Sequence, residues 1–451
     1  MFKRKIYEKL IDWKINSSNE KALLIEGARR IGKSTIVEEF AKNEFKSYIL
    51  IDFNDVSEVI LDAFNNHLND LDTFFMILST EYNKELYPHE SLIIFDEVQK
   101  FPKARQSIKK LVKDGRYSYI ETGSLISIRE NVQNITIPSE ERSINMYPMD
   151  FEEFAFALGE NMLIEYIKKC FKDKSPLQEA FHHKAMILFK QYMLVGGMPK
   201  VVDAYLNNNR SFMKADIEKR DILDLYKKDI DKAELSYRTR VKAIFEQIPS
   251  FLSKHEKRVR LSNLEPKVNP DLYADSFQWL KTSMMTNLCY LCNDPNVGLS
   301  LNEDRTYLKC YMGDTGLLIS HAFKENELAD GALYKAILHD RLNINEGMLF
   351  ENVIAQMLNA KGYELYFYTH YKEETHHNDM EIDFIISNGS SLKPKIYPLE
   401  VKSSKRYTTK SISIFTSKYK ERIGNTYIIH PKNLQIVDDI ICIPAYMTFC
   451  L

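Results

Sequence analysis

The sequence predicts an α/β multidomain protein with three regions of different secondary structure. Residues 1–160 alternate short apolar runs with helical patterns, as a parallel sheet with crossing helices requires. Residues 161–330 have a mostly helical pattern, and residues 331–451 follow an αβββαβ order. A length of 451 residues suits about three domains at roughly 150 residues each.

Composition and charge exclude several classes of protein. Hydrophobic residues make up 44% and charged residues 27%, which is typical of globular domains rather than disordered or collagen-like chains. A formal net charge of -2 excludes a histone-like polycation, although a local basic groove stays open. No apolar run reaches the roughly 18 residues of a membrane helix, and no signal-peptide core follows the N-terminus. We therefore expect a cytoplasmic protein without a membrane partner.

Six cysteines are too few for a disulfide framework in a chain of this length. Cys289 and Cys292 form one CxxC pair, but a structural zinc site usually needs a second close pair of ligands. Buried thiols are the favoured interpretation, and zinc is the alternative.

Strand-like runs are short and apolar in the first region, and the third region adds alternating ones. The predicted strands of the first region are Ala22–Ile25, Tyr48–Ile51, Leu92–Phe95 and Tyr117–Glu121. In the third region we expect a helix over Gly347–Leu358, strands over Glu364–Tyr371, Glu381–Ser387 and Lys395–Lys402, a helix over Lys410–Glu421 and a strand over Thr426–His430.

The first region contains a motif of the type that binds nucleotide phosphates. Residues 27–34 match GxxxxGK[ST] between an apolar strand and a helix. Backbone N–H groups of such a loop face phosphate oxygens, Lys33 would reach the β- and γ-phosphates, and the Ser34 hydroxyl would bind Mg²⁺. A plain glycine turn is the alternative. The residues expected to bind ATP are Gly27, Ala28, Arg29, Arg30, Ile31, Gly32, Lys33, Ser34 and Thr35.

Two carboxylates follow another apolar run about 60 residues later. Leu92–Phe95 is followed by Asp96 and Glu97. Asp96 would hold Mg²⁺ through water, and Glu97 would orient or activate the attacking water. Thr122 follows the last predicted strand, where its hydroxyl could sense the γ-phosphate or cap the turn.

These segments resemble the AAA+ ATPases, and more narrowly the prokaryotic AAA family ATPases whose C-terminal region is the DUF4143 domain. The resemblance covers nearly the whole chain and implies ATP hydrolysis with Mg²⁺ and the possibility of a homo-oligomer. It also implies a phosphate-sensing arginine shortly before the Tyr147–Phe154 segment. In this sequence Arg142, which directly follows Glu141, occupies that position. Its local marks are GARRIGKST, LIIFDEVQ, ETGS, YPMDFEEF, GGMP at 196–199 and GDTGLL at 313–318.

For the middle region the same resemblance implies helices and a winged-helix-like unit. The helices would be Ala243–Leu252, Leu261–Leu264 and Ala274–Leu288, and the wing would combine Leu291–Leu301 with Tyr307–Met312.

A second group of carboxylates lies in the third region. Residues i and i+2 of a strand share a face, so Glu400 and Lys402 should point the same way, and a hairpin would bring Asp383 to Glu400. With Glu351 on the preceding helix, Asp383 and Glu400 could hold a second divalent cation, while Lys402 would orient water or stabilise developing charge. The set resembles the PD-(D/E)xK, or restriction-endonuclease-like, fold. Nine Lys/Arg among residues 391–422 would suit a DNA backbone.

Three functions compete at this point. The first is an AAA+ ATPase that couples its nucleotide state to a nuclease-like, DNA-binding domain. The second is a nucleotide-switched interaction protein whose nuclease-like domain binds DNA or a partner without cutting, since a fold does not guarantee its chemistry. The third, a small-molecule kinase, lacks any acceptor-site motif.

Overall fold

In the computed structural model, the described residues are 2–123, 138–254, 257–259, 261, 271–324, 334, 338, 346–372, 377–388 and 394–451. The chain divides into two compact units, Lys3–Tyr147 and Pro148–Leu451. The division falls before residues 148–154, because Asp150 and Glu153 form a reciprocal capping box on a helix of the second unit. The expected boundary at 160 therefore lies inside the second unit.

The first unit is an α/β sheet domain. Its strands are β1 Ala22–Gly27, β2 Ser47–Asp52, β3 Ser91–Asp96, β4 Ser118–Gly123 and β5 Glu141–Met146. Its helices are α1 Ile6–Asn16, α2 Lys33–Glu44, α3 Glu58–Asp62, α4 Leu71–Glu81 and α5 Pro102–Asp114, with a π-helical turn at Ala63–His67 and a 3₁₀ turn at Val98–Lys100.

All neighbouring strands of this sheet are parallel, in the order β2-β3-β4-β1-β5. Each residue of β3 is buried, as expected for a parallel strand covered on both faces by helices. The carboxyl ends of β1, β3 and β4 meet at one edge of the sheet, which is where open α/β sheets bind ligands. The predicted parallel sheet is confirmed, with β5 as an added edge strand.

The second unit combines helices with a mixed sheet. The helices are α6 Phe151–Ala157, α7 Asn161–Lys172, α8 Glu179–Val195, α9 Pro199–Asn207, α10 Phe212–Ile230, α11 Arg238–Ser253, α12 Asp271–Thr282, α13 Thr315–Ala322, α14 Glu346–Ala360 and α15 Lys410–Lys418. The strands are β6 Thr286–Cys292, β7 Glu303–Met312, β8 Leu365–Lys372, β9 His377–Asn388, β10 Lys395–Val401, β11 Thr426–His430, β12 Gln435–Val437 and β13 Ile440–Pro444, with 3₁₀ turns at Leu299–Asn302 and Ala445–Cys450.

The eight strands form one sheet in the order β12-β13-β11-β10-β9-β8-β6-β7. The expected wing of the middle region, Leu291–Leu301 with Tyr307–Met312, lies in the hairpin of β6 and β7 and in the connection between its strands. This hairpin instead extends the C-terminal sheet, because β6 pairs in parallel with β8. The expected helix Ala274–Leu288 is likewise too long: α12 ends at Thr282 and β6 begins at Thr286, where the apolar run pairs with β7 and β8. The predicted helix Leu261–Leu264 lies almost wholly outside the described residues.

The sheet also explains the cysteines of the CxxC pair. Cys289, Cys292 and Cys310 are buried free thiols of β6 and β7.

No helix in the described part of the chain has both the length and the apolar character needed to span a bilayer.

Candidate functional site

The phosphate-binding loop joins the carboxyl end of β1 to the first turn of α2. Gly27 ends β1, and a Cβ there would meet the Met146 carbonyl oxygen at 2.5 Å. Gly32 immediately precedes α2 with a φ of 88°, a conformation that favours glycine. The two glycines therefore let the backbone turn so that the free N–H groups of the first turn of α2 lie at the loop.

Lys33 lies inside this loop rather than extended into solvent. Its ammonium donates hydrogen bonds of 3.0 Å each to the carbonyl oxygens of Gly27 and Ala28. Burial lowers the pKa of Lys33 to about 8, against the opposing effect of the Glu97 and Asp96 carboxylates. A γ-phosphate would supply the negative charge that favours the ammonium form.

The hydroxyls of two predicted site residues converge on one carboxylate oxygen. Ser34 Oγ donates a 2.8 Å hydrogen bond to Asp96 Oδ1. Thr122 Oγ1, at the end of β4, donates a short hydrogen bond to the same oxygen. Ser34, Asp96 and Thr122 are thus brought together from α2, β3 and β4, in the arrangement that a hydroxyl-and-carboxylate Mg²⁺ site requires.

Glu97 follows β3 in an unusual backbone conformation. Its φ of 55° is left-handed, which is uncommon outside glycine and often marks a functional site. The backbone N–H of Glu97 donates to Thr122 Oγ1 at 3.4 Å, and Gln99 Nε2 donates to the Glu97 carboxylate. These contacts place the Glu97 carboxylate beside Asp96 at the same edge of the sheet.

The other predicted nucleotide-binding residues occupy different positions. Ile31 is buried in the loop, whereas Arg29, Arg30 and Thr35 are exposed. Arg142 is exposed on β5 and pairs with Leu23, four residues before Gly27 and therefore about 13 Å along the strand from the loop. Arg142 therefore lies toward the opposite end of β1 from the loop, and its contact with nucleotide, in its own chain or from a neighbouring subunit, stays a prediction.

An arginine that the sequence did not indicate forms hydrogen bonds with the backbone of the phosphate-binding loop. Arg4 is 7% exposed, and its guanidinium donates to the Ile31 carbonyl at 3.1 Å and to the Tyr147 carbonyl at 2.6 Å. Its contacts lie 27 and 143 residues away in sequence, so no local pattern could reveal them. Arg4 thus joins the nucleotide loop to the last residue of the first unit.

The C-terminal carboxylates also come together. Asp383 on β9 lies next to β10, where its Oδ2 accepts a 2.8 Å hydrogen bond from the Val401 backbone N–H. Lys402 donates to Glu400 Oε1, so the two residues do share a face. Burial raises the pKa of Glu400 to about 7, with Lys402 acting in the opposite direction.

Two lysines from outside the predicted cluster occupy its centre. Lys309 of β7 is 1% exposed and lies 3.1 Å from Glu351 Oε1 and 3.6 Å from Asp383 Oδ1. Lys257 binds Glu351 Oε2. The pKa of Glu351 is held below its usual range by Lys309 and Lys257, in spite of complete burial. The residues expected to hold a second divalent cation are therefore already bound to ammonium groups and do not fit that ion.

In the sequence, Lys309 is distinguished by being a charged residue within an otherwise apolar stretch at the end of a strand. The neighbours Leu308, Cys310, Tyr311 and Met312 are all buried. A carboxylate is the usual partner of a buried ammonium group, so the strand suggested a buried ion pair, although not which acids formed it.

Comparisons with known proteins agree with this organisation. Residues 19–155 match the AAA domain model, and residues 346–447 match DUF4143, a domain of unknown function. The chain carries an AAA domain and a DUF4143 domain. Residues 186–327 between them match DUF8612, a further domain of unknown function. A search of curated proteins found no match.

Solved structures with partial likeness are distant in sequence. A Walker-type ATPase of Pyrococcus abyssi is 15% identical, with 71% of this chain and 96% of that chain covered and a TM-score of 0.43. PCH-2 of C. elegans is 14% identical, with 42% and 54% covered and a TM-score of 0.22. The Hsp104–ADP complex of S. cerevisiae is 13% identical, with 80% and 52% covered and a TM-score of 0.26.

A cleft of ≈ 580 Å³ in the second unit is lined by basic side chains together with the acid Glu179 and apolar residues. Lys405 and Lys432 come from the DUF4143 domain, and Lys190 and His183 come from α8. Lys405, Arg406, Lys410, Lys418 and Lys420 of the basic segment are exposed, whereas Lys402 and Arg422 bind acids. Lys393 lies outside the described residues. The cleft thus adds α8 residues to the basic surface that the sequence predicted.

Proposed function

We propose that the AAA domain hydrolyses ATP with Mg²⁺. The observation that carries the proposal is the convergence of Ser34 and Thr122 on Asp96 Oδ1 beside a phosphate-binding loop. Ser34 and Asp96 would hold Mg²⁺, directly and through water, and Lys33 would neutralise the β- and γ-phosphates. Glu97 would orient the attacking water and accept its proton, while Thr122 would sense the γ-phosphate.

Two substitutions test the roles separately. Lys33→Ala should abolish ATP binding, while Glu97→Gln should keep binding and lower kcat by about 100-fold or more. Binding is measured by calorimetry with ATP·Mg²⁺, and turnover by phosphate release. Lys113→Ala, which changes an exposed lysine of α5, is the matched control. Undiminished hydrolysis in both variants would place the active site elsewhere.

We also propose that the DUF4143 domain binds DNA according to the nucleotide state of the AAA domain. The basic cleft with Lys190, Lys405 and Lys432 supports this proposal, because ammonium groups on one surface release counterions from a phosphate backbone. The double variant Lys405→Ala/Lys432→Ala should weaken binding and reduce the magnitude of the salt slope by about 2. Lys228→Ala, an exposed lysine of α10, is the control.

Duplex DNA, single-stranded DNA and RNA are compared with ADP, with ATP and without nucleotide, using Glu97→Gln to preserve ATP. Equal affinity for the double variant and Lys228→Ala would refute the cleft as the DNA site. Equal affinity in all three nucleotide states would refute coupling.

The second candidate function is the same nucleotide-controlled binding without cleavage. The Lys309 contacts favour it, since a metal-dependent nuclease needs free carboxylate oxygens for its cation. Incubation of DNA and RNA with Mg²⁺ or Mn²⁺ beside Lys402→Ala distinguishes the two. Cleavage that depends on Lys402 would support a nuclease.

Two expectations from the sequence stay proposals. A homo-oligomer would allow Arg142, on the exposed face of the edge strand β5, to reach nucleotide on a neighbouring subunit. Sedimentation with and without ATP·Mg²⁺, using Arg142→Ala as the comparison, tests the assembly. A cytoplasmic location is tested by cell fractionation.

A further inference from the structure

The carboxylate cluster of the second unit already contains a buried cation of its own. Lys309 Nζ lies 3.1 Å from Glu351 Oε1, 3.4 Å from Glu381 Oε1 and 3.6 Å from Asp383 Oδ1. At 1% exposure its ammonium has essentially no water to replace these contacts. A positive charge therefore occupies the space between three carboxylates, where a divalent cation would have to bind.

The other oxygens of Glu351 and Asp383 are also engaged. Glu351 Oε2 binds Lys257, and Asp383 Oδ2 accepts the Val401 backbone N–H. Glu400 Oε1 accepts from Lys402, which leaves Glu400 Oε2 as the one oxygen of Glu351, Asp383 and Glu400 without a hydrogen bond or ion pair among the described residues. One free oxygen among the three residues expected to hold the cation is too few for Mg²⁺ or Mn²⁺, which bind several oxygen ligands.

The strand geometry explains how Lys309 reaches this position. Lys309 and Tyr311 are two residues apart on β7 and so lie on the same face of the sheet. Both donate to Glu351 Oε1. Glu351 in turn is fixed on α14 beside Asn352, whose amide oxygen accepts the Met312 N–H at 2.8 Å. The position of the ammonium therefore depends on β7 and α14 together.

Charge balance favours retention of the lysine. Three ammonium groups, of Lys257, Lys309 and Lys402, face four carboxylates, of Glu351, Glu381, Asp383 and Glu400. A divalent cation could enter only if the buried Lys309 ammonium moved away from its partners, and an unpaired buried charge is strongly unfavourable.

We infer that Lys309 is a built-in cation that replaces a divalent metal in the carboxylate cluster. The cluster then binds no metal, supports no metal-dependent phosphodiester cleavage, and instead joins β7 to the helix and strands of the DUF4143 domain. Removal of the ammonium, with the carboxylates intact, should convert the cluster into a divalent-cation site.

Mn²⁺ binding to the full-length protein without nucleotide tests the inference, with calorimetry and the electron paramagnetic resonance signal of free Mn²⁺ as readouts. The wild type should show no Mn²⁺ site that depends on Asp383. Lys309→Met, which keeps an unbranched side chain one atom shorter and removes the charge, should bind Mn²⁺ at least about tenfold more tightly than wild type. Adding Asp383→Asn to Lys309→Met should remove that gain.

Folding of each variant is checked by circular dichroism and thermal melting. A wild-type Mn²⁺ site that Asp383→Asn removes would overturn the inference, and this measurement does not require the Lys309 variant to fold. A folded Lys309→Met protein with no gain in Mn²⁺ affinity would overturn it as well. ATP hydrolysis is assayed on the same samples, so failure of the ATPase proposal is seen separately.

Discussion

The Ser34 hydroxyl donates a 2.8 Å hydrogen bond to Asp96 Oδ1, although 62 residues separate the two in sequence. In the proposed Mg²⁺ complex Ser34 would bind the metal directly and Asp96 would bind it through water, so we expect the metal close to this hydrogen bond. This contact links the start of α2 to the end of β3.

Asp96→Asn should therefore impair Mg²⁺ use rather than the fold. The amide can still accept the Ser34 and Thr122 hydrogen bonds, but it lacks the charge that holds the metal. We expect kcat for ATP hydrolysis to fall about 100–1000-fold, with metal-free ATP binding retained. Calorimetry with and without Mg²⁺ measures both effects. A metal-free ATP affinity that falls as far as turnover would contradict the assigned role.

Arg4→Ala should loosen the nucleotide loop. The substitution removes the donors to the Ile31 and Tyr147 carbonyls, and loss of these two charge-assisted hydrogen bonds should lower the free energy of unfolding by about 2–4 kcal/mol. Chemical denaturation measures this change, and ATP titration should show weaker binding. Lys9→Ala, at an exposed position of α1, should alter neither quantity. Equal behaviour of the two variants would show that Arg4 does not hold the loop.

ATP affinity should fall at alkaline pH because of Lys33. Burial lowers the pKa of Lys33 to about 8, while bound phosphate favours the ammonium. The Kd for ATP should thus be nearly constant below pH 7.5 and rise toward tenfold per pH unit above pH 8. Calorimetry in two buffers of different ionisation enthalpy should detect proton uptake on binding in that range. A Kd that is constant up to pH 9.5 would contradict this prediction.

Lys33 also affects folding in a defined direction. Because its pKa is lower in the folded state than in the unfolded chain, the unfolded state binds more protons between about pH 8 and pH 10.5. Its contribution to the free energy of unfolding therefore rises with pH across that range.

Glu400→Gln should stabilise the protein at neutral and alkaline pH. Burial raises the pKa of Glu400 to about 7, so the folded state binds the extra proton. The stabilising contribution of that proton is full below about pH 4.5 and is lost as pH rises through 7. At pH 8 the free energy of unfolding of the variant should exceed that of wild type by about 1–3 kcal/mol. At pH 5 the difference should be small. Glu421→Gln, at an exposed position, is the control. A stability gain that does not depend on pH would show that protonation of Glu400 is not its cause.

Local patterns were sufficient to bring the candidate nucleotide-site residues to one edge of the sheet. Gly27, Lys33 and Ser34 are contiguous in one motif, and Asp96, Glu97 and Thr122 directly follow strand signals, so parallel strands bring them to one edge. Arg4 and Lys309 could not be assigned in this way, because their partners come from elements far away in sequence. Periodicity also failed at 286–288, which were expected to end a helix but begin the buried strand β6.

The pairing of β6 with β8 has a practical consequence for dividing the protein. The DUF8612 match ends at residue 327 and the DUF4143 match begins at residue 346. These limits suggest a C-terminal fragment that begins between the two residues. Such a fragment would lose β7 and β6, leave the backbone of β8 as an open edge, and deprive Glu351 of its Lys309 counterion. Open edges promote intermolecular strand pairing, so a soluble C-terminal half should begin near Pro148 instead.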